Sequence, residues 1–109
     1  MQDLTDKQII KIRKGLNGAQ QQAIFKILAD ANRYNIFQIL SKHPKLIVGD
    51  IAKILDISTP LASQHLKILE QGGILEKEKL GQKAYLKLRE DNRIAQTIIK
   101  QIIKKTLNN

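Results

Sequence analysis

Between residues 48 and 71 two short apolar stripes are separated by one tight break, and this constrains the fold more than any other feature of the chain. Ile51, Ala52 and Leu55 form the first stripe; Ala62, Leu66 and Leu69 form the second, each at helical spacing. Between them stand Asp56, Ile57 and Ser58. Ser58 is a good N-cap, and Pro60 falls near the helix start, where its missing N–H costs nothing, so the second helix is expected from about Thr59. A small residue, Ala52, and a buried Ile57 in the turn let two helices cross closely at a steep angle, which is the arithmetic of a helix-turn-helix.

The flanks extend this pattern. Thr5 stands three residues before Gln8, at capping-box spacing, and Ile9, Ile10 and Ile12 follow, predicting a helix over roughly residues 6 to 14. Gly15 and Gly18 interrupt it. From Ala19, Ala23, Ile24, Ile27 and Leu28 recur at helical spacing to about Ala29, and Asp30 can cap the next helix. The buried stripe of that helix is expected to be Tyr34, Phe37 and Leu40 with Ile36 beside it. It stops before His43-Pro44, since a residue preceding proline is pushed out of the helical region. After Gly72-Gly73 the period changes: residues 74–79 and 84–88 read as strands joined through Gly81, Gln82 and Lys83, a β-hairpin with a basic tip. Two strands alone are marginal in water, so the hairpin must lean on the helices. Asp91 or Asn92 can cap a last helix with Ile94, Ile98 and Ile102 in one row and Ala95, Ile99 and Ile103 in the next.

The chain has 109 residues, enough for one domain, and buries about two-thirds of its extended surface. Aromatic residues make up only 4%, so Ile and Leu must fill the interior. With no cysteine, disulfides, thiolate metal sites, Fe–S clusters and thiol switches are excluded. The longest uninterrupted apolar runs are three residues, and Met1-Gln2-Asp3 begins no signal-peptide pattern, so the expectation is a cytoplasmic protein without a membrane span. Lys and Arg outnumber Asp and Glu by 19 to 10, a net charge of +9, which makes polyanions natural partners, although a lysine-rich chain also simply stays soluble. Enzyme readings fail on residue types: there is no Gly-rich phosphate loop, no carboxylate pair and no Ser-His-Asp set at recognisable spacing. Ser63 and His65, two apart on one helix, diverge and cannot serve as nucleophile and base.

In order and spacing, three stretches resemble the ArsR/SmtB family of bacterial winged-helix repressors over nearly the whole chain. They are Leu28-Ala29-Asp30-Ala31-Asn32-Arg33; Asp50-Ile51-Ala52 through Ser58, Pro60 and Ser63-Gln64-His65-Leu66-Lys67-Ile68-Leu69; and Gly73-Ile74-Leu75 to Tyr85-Leu86-Lys87-Leu88. The resemblance implies a mainly α fold with a small β-hairpin, a winged helix-turn-helix written compactly as α-α-α-α-β-β-α. It would be one DNA-binding domain over 1–109, with dimerisation helices at 1–29 and 91–107, the helix-turn-helix at 48–71 and the wing at 74–88. The implied function is a sequence-specific double-stranded DNA-binding transcriptional regulator, a dimeric repressor on an inverted repeat. The alternative is a protein-interaction or dimerisation module with non-specific DNA affinity.

The family's metal sensors carry Cys-x-Cys where this chain has Ile47 and Gly49, and other members place ligands along a last helix that here, from Asn92 to Leu107, holds no histidine or carboxylate. No metal or cofactor is expected. Control is then left to protein level, a protein partner or an unidentified small-molecule effector. In a helix-turn-helix the second helix enters the major groove with its first residues against base edges. Helical spacing turns Thr59, Ser63, Gln64 and Lys67 outward: Gln64 suits adenine, Ser63 and Thr59 bases or phosphates, Lys67 a phosphate. Ser58 is either a cap or a DNA contact; His65 is either packed and hydrogen-bonded or, as the resemblance favours, on DNA. Gln82 and Lys83 at the hairpin tip are preferred over Lys77 and Lys79 as wing contacts, because Glu76 and Glu78 dilute the strand charge. The expected dimer surface is Ile9, Ile12, Leu16, Ile94, Ile98, Ile102 and Ile103.

Overall fold

The computed structural model describes residues 3–16, 18–91, 96–97, 100–101 and 104–105. Five helices lead into a two-stranded antiparallel hairpin: α1 Asp6–Gly15, α2 Ala19–Leu28, α3 Ala31–Lys42, α4 Val48–Leu55, α5 Thr59–Gln71, β1 Leu75–Leu80 and β2 Lys83–Leu88. That is one helix more before the hairpin than the compact order counted. The glycine-bounded break after α1 and the Asp30 cap make three separate helices of the N-terminal third. The described residues from Gln96 to Lys105 are helical. Ile94, Ile98, Ile102 and Ile103 lie outside the described residues.

Local chemistry sets the helix starts. Thr5 and Gln8 form the expected capping box: the Gln8 N–H donates to Thr5 Oγ1 at 3.2 Å and the Thr5 N–H to Gln8 Oε1 at 2.8 Å. Asp30 accepts from the Arg33 N–H at 3.1 Å, and Ser58 from the Leu61 N–H at 3.2 Å. At α4 the Ile47 N–H donates to the Asp50 carboxylate at 2.9 Å.

The core joins Ile24 and Leu28 of α2, Ile36, Phe37 and Leu40 of α3, Ile51 and Ala52 of α4, Ala62, Leu66 and Leu69 of α5, and Ile74, Leu75, Leu86 and Leu88 of the hairpin. Ile27, Leu55 and Ile57 are partly buried and pack against this core, while two other expected members lie outside it. Tyr34 is 38% exposed and Ala23 is exposed, because α3 turns Ile36 and Phe37 inward and α2 turns Ile24. The hairpin does lean on the helices. Leu75, Leu86 and Leu88 share its inner face, and the Leu86 N–H donates to the Leu46 carbonyl at 2.8 Å, a third-strand bridge from the α3–α4 loop. Register runs from Leu75 opposite Leu88 to Leu80 opposite Lys83, so the turn is two residues, with Gly81 at φ 65°, a conformation a two-residue hairpin demands. Helix α1 contributes no buried residue.

Candidate nucleic-acid interface

Helices α4 and α5 pack across the Asp56-Ile57-Ser58 turn. Asp56 takes the left-handed conformation (φ 53°, ψ 49°), and the Ile57 N–H donates to the Ala52 carbonyl at 3.0 Å, turning the chain sharply into the α5 cap. Burial of Ala62, His65, Leu66 and Leu69 then fixes the rotation of α5. Thr59, Ser63, Gln64 and Lys67 are exposed, as are Gln82 and Lys83 at the hairpin turn. The outward stripe of α5 is longer than expected. Pro60, Gln64, Lys67 and Gln71 follow one another at i, i+4, i+7 and i+11, a spacing that the sequence itself carries.

Two expected contacts are otherwise engaged. Ser58 Oγ caps α5, the first of its two expected roles. His65 is 8% exposed and turned away from the outward stripe, toward the start of α3. Arg33 Nη1 lies 3.2 Å from its Nδ1, the Asn32 carboxamide 3.4 Å from its Nε2, and an Asp30 carboxylate oxygen 3.8 Å from Nδ1. The Arg33 guanidinium and the Asn32 carboxamide nitrogen are both donors set against the ring. Arg33 Nε also donates to the Ile27 carbonyl at 2.8 Å. One arginine thus ties the last turn of α2 to the middle of α5 through the imidazole. No local signal could reveal this, since Arg33 and His65 are 32 residues apart. The Arg33 N–H is the main reason the Asp30 carboxyl is held below its usual range; desolvation opposes the shift, and the charges of Arg33 and His65 assist it.

Among the described residues no group of three or more His, Cys, Asp or Glu side chains stands together as a metal site. A cleft of about 520 Å³ beside the hairpin has an apolar floor of Leu40, Pro44, Leu80 and Tyr85, but Lys45, Lys87, Glu78 and Glu90 ring it with mixed charge rather than a converging ligand set. No helix among the described residues is long and apolar enough to cross a membrane.

Two helices crossing over a tight turn, the second with a buried face and a polar outer stripe, and a hairpin beside them define a winged helix-turn-helix domain. The chain belongs to the arsR family of bacterial regulatory proteins, whose sequence model matches residues 30–77, from the α3 cap into β1. The transcriptional repressor SdpR of Bacillus subtilis (strain 168) is 37% identical over 65 residues, 60% of this chain and 71% of that protein. The crystal structure of the transcriptional regulator HlyU from Vibrio vulnificus CMCP6 superposes with a TM-score of 0.71 at 26% identity, covering 87% of this chain and 95% of that one. The solution structure of the homodimeric winged helix-turn-helix DNA-binding domain Mb0332 from Mycobacterium bovis shares the fold, with a TM-score of 0.65 at 20% identity over 97% of this chain and 90% of that one. Other curated relatives, regulators named for cadmium or arsenical resistance, are matched over 51–64% of their own length, so the chain spans between half and two-thirds of them.

Proposed function

We propose that the chain is a cytoplasmic, sequence-specific double-stranded DNA-binding repressor that acts as a homodimer on an inverted repeat. The observation that carries the reading is the outer stripe of α5. A face anchored by Ala62, Leu66 and Leu69 leaves Gln64 and Lys67, flanked by Thr59 and Ser63, free to enter a major groove. Gln64 matches the donor–acceptor pair of adenine, and Lys67 a phosphate. Gln82 and Lys83 at the hairpin turn reach phosphates or the minor groove beside it. His65, in this reading, braces α5 instead of touching DNA.

Dimerisation is supported by uncovered apolar surface. Helix α1 exposes Ile9, Ile10 and Ile12, followed by Leu16, with none of its residues buried. The related Mb0332 domain is described as homodimeric. Residues 1–29 and 91–107 are accordingly the proposed dimerisation segments. A two-fold axis sets the two α5 helices about 34 Å apart, one DNA turn, so the operator is an inverted repeat.

Selection of bound duplexes from random DNA tests the reading. An enriched two-fold symmetric motif is expected; recovery of none at moderate salt would leave only an interaction module with non-specific DNA affinity. Some relatives carry names of cadmium or arsenical resistance. Here there is no cysteine, and Ile47 and Gly49 stand where a thiolate pair would, so the regulatory input is of another kind: protein level, a protein partner or a small-molecule effector. A ligand shifts an equilibrium only through differential affinity for its two states. Zinc, arsenite, peroxide and chelator are each expected to change operator affinity by less than ~5-fold in binding titrations. A larger saturable zinc effect, abolished by changing His43 or His65, would point to a histidine site between subunits.

A further inference from the structure

The first turn of α5 is built unlike a phosphate-holding helix start. Pro60 has no N–H, the Leu61 N–H is taken by Ser58 Oγ at 3.2 Å, and the Ala62 N–H by the Ser58 carbonyl at 2.9 Å. Few backbone donors are left to hold an anion, the usual use of a helix N-terminus. What the turn offers instead is apolar. Leu61 is 37% exposed and belongs neither to the core nor to the partly buried side chains packed on it. It sits three residues before Gln64, hence beside it on the helix surface.

We infer that Leu61 reads a thymine C5-methyl group in the major groove, next to the adenine engaged by Gln64. This rests on the DNA-reading function proposed above. A leucine offers no hydrogen bond, and the thymine methyl is the one apolar feature that base pairs present in that groove. Residues three apart on a helix have Cβ atoms about 5–6 Å apart, and base pairs rise 3.4 Å, so the thymine lies within about two base pairs of the adenine. Leu61 thereby adds an apolar, methyl-reading contact beside the polar side chains of Thr59, Ser63 and Gln64.

The test uses the full chain and duplexes carrying the motif enriched by selection. Each thymine is replaced in turn by deoxyuridine, which removes only the methyl group. Wild-type protein is expected to lose about fourfold in affinity at one thymine per half-site, the worth of one buried methyl. Leu61→Ala is expected to bind the thymine and uracil duplexes alike there. Leu61→Met, which keeps an apolar reach, retains the discrimination, and Gln64→Ala keeps the uracil penalty while losing adenine preference. Thermal unfolding of Leu61→Ala should match wild type, since the side chain lies outside the core. The inference is overturned if no thymine is uracil-sensitive in wild type, or if Leu61→Ala shows the same penalty. Should selection return no motif, the DNA-reading function fails first and takes the inference with it.

Discussion

Asp56 is where one side chain decides whether the two helices can meet. Its φ of 53° lies in the left-handed region, which Asp tolerates and a β-branched residue does not. Asp56→Val is expected to cost about 1–2 kcal/mol in urea unfolding, whereas Asp56→Gly, free of that strain, should cost less. Asp30 is a second such position, capping α3 within the cluster that holds His65. Asp30→Ala should lose about 1 kcal/mol at neutral pH. Because the folded-state carboxyl is held below its usual value, its electrostatic contribution is fully present above the unfolded pKa of about 3.9 and is lost as pH falls through the folded value. The gap between wild type and Asp30→Ala should therefore narrow in unfolding curves taken below about pH 4. A gap that stays constant would mean that the carboxylate's charge plays no part.

The reading helix and the wing are expected to contribute different kinds of binding. Helix α5 is held in rotation by four buried residues, with Gln64 on its outer stripe, so a change there alters which base is preferred. The hairpin turn carries its cation, Lys83, on the first residue of β2, where the proposed complex would set it against the uniform phosphate backbone. Gln64→Ala should relax base preference and cost ~1–3 kcal/mol, while Lys83→Ala should weaken all duplexes alike and flatten the salt slope by about one unit. Salt titrations on matched and mismatched duplexes separate the two. If both variants weaken binding uniformly, Gln64 contacts the backbone, and base preference rests on Thr59, Ser63, Leu61 or DNA shape.

At the scale of the whole molecule, α1 buries none of its own residues in the structure described. Ile9 and Ile12 are 36% and 55% exposed on a helix with no buried residue. Replacing both with Glu should convert a dimer to a monomer in analytical ultracentrifugation and remove the preference for an inverted over a single half-site, since only a two-fold pair presents two reading helices. The fold of each chain should survive, because neither isoleucine reaches the core. Unchanged dimer mass would move the interface elsewhere.

Local rules carried much of this protein in its sequence. The Thr5–Gln8 box, the Asp30 and Ser58 caps, the start of α5 at Thr59 and the change of period after Gly73 all appear where residue preferences put them, because each is decided within a few residues by hydrogen bonds to nearby backbone. The outer stripe of α5 was legible for the same reason: helical period and burial fix it together. The fate of His65 was not, since its position between buried and exposed faces left both readings open. Arg33 and Asn32, brought over from α3, place their side-chain nitrogens against the two ring nitrogens. Tyr34 turned outward because neighbouring Ile36 and Phe37 compete for the same interior space, a choice settled only when α2, α5 and the hairpin close over α3. The Leu46–Leu86 bridge likewise depends on a loop meeting a strand 40 residues further on. Spacing along the chain shows which side chains share a face, but only the assembled core shows what that face meets.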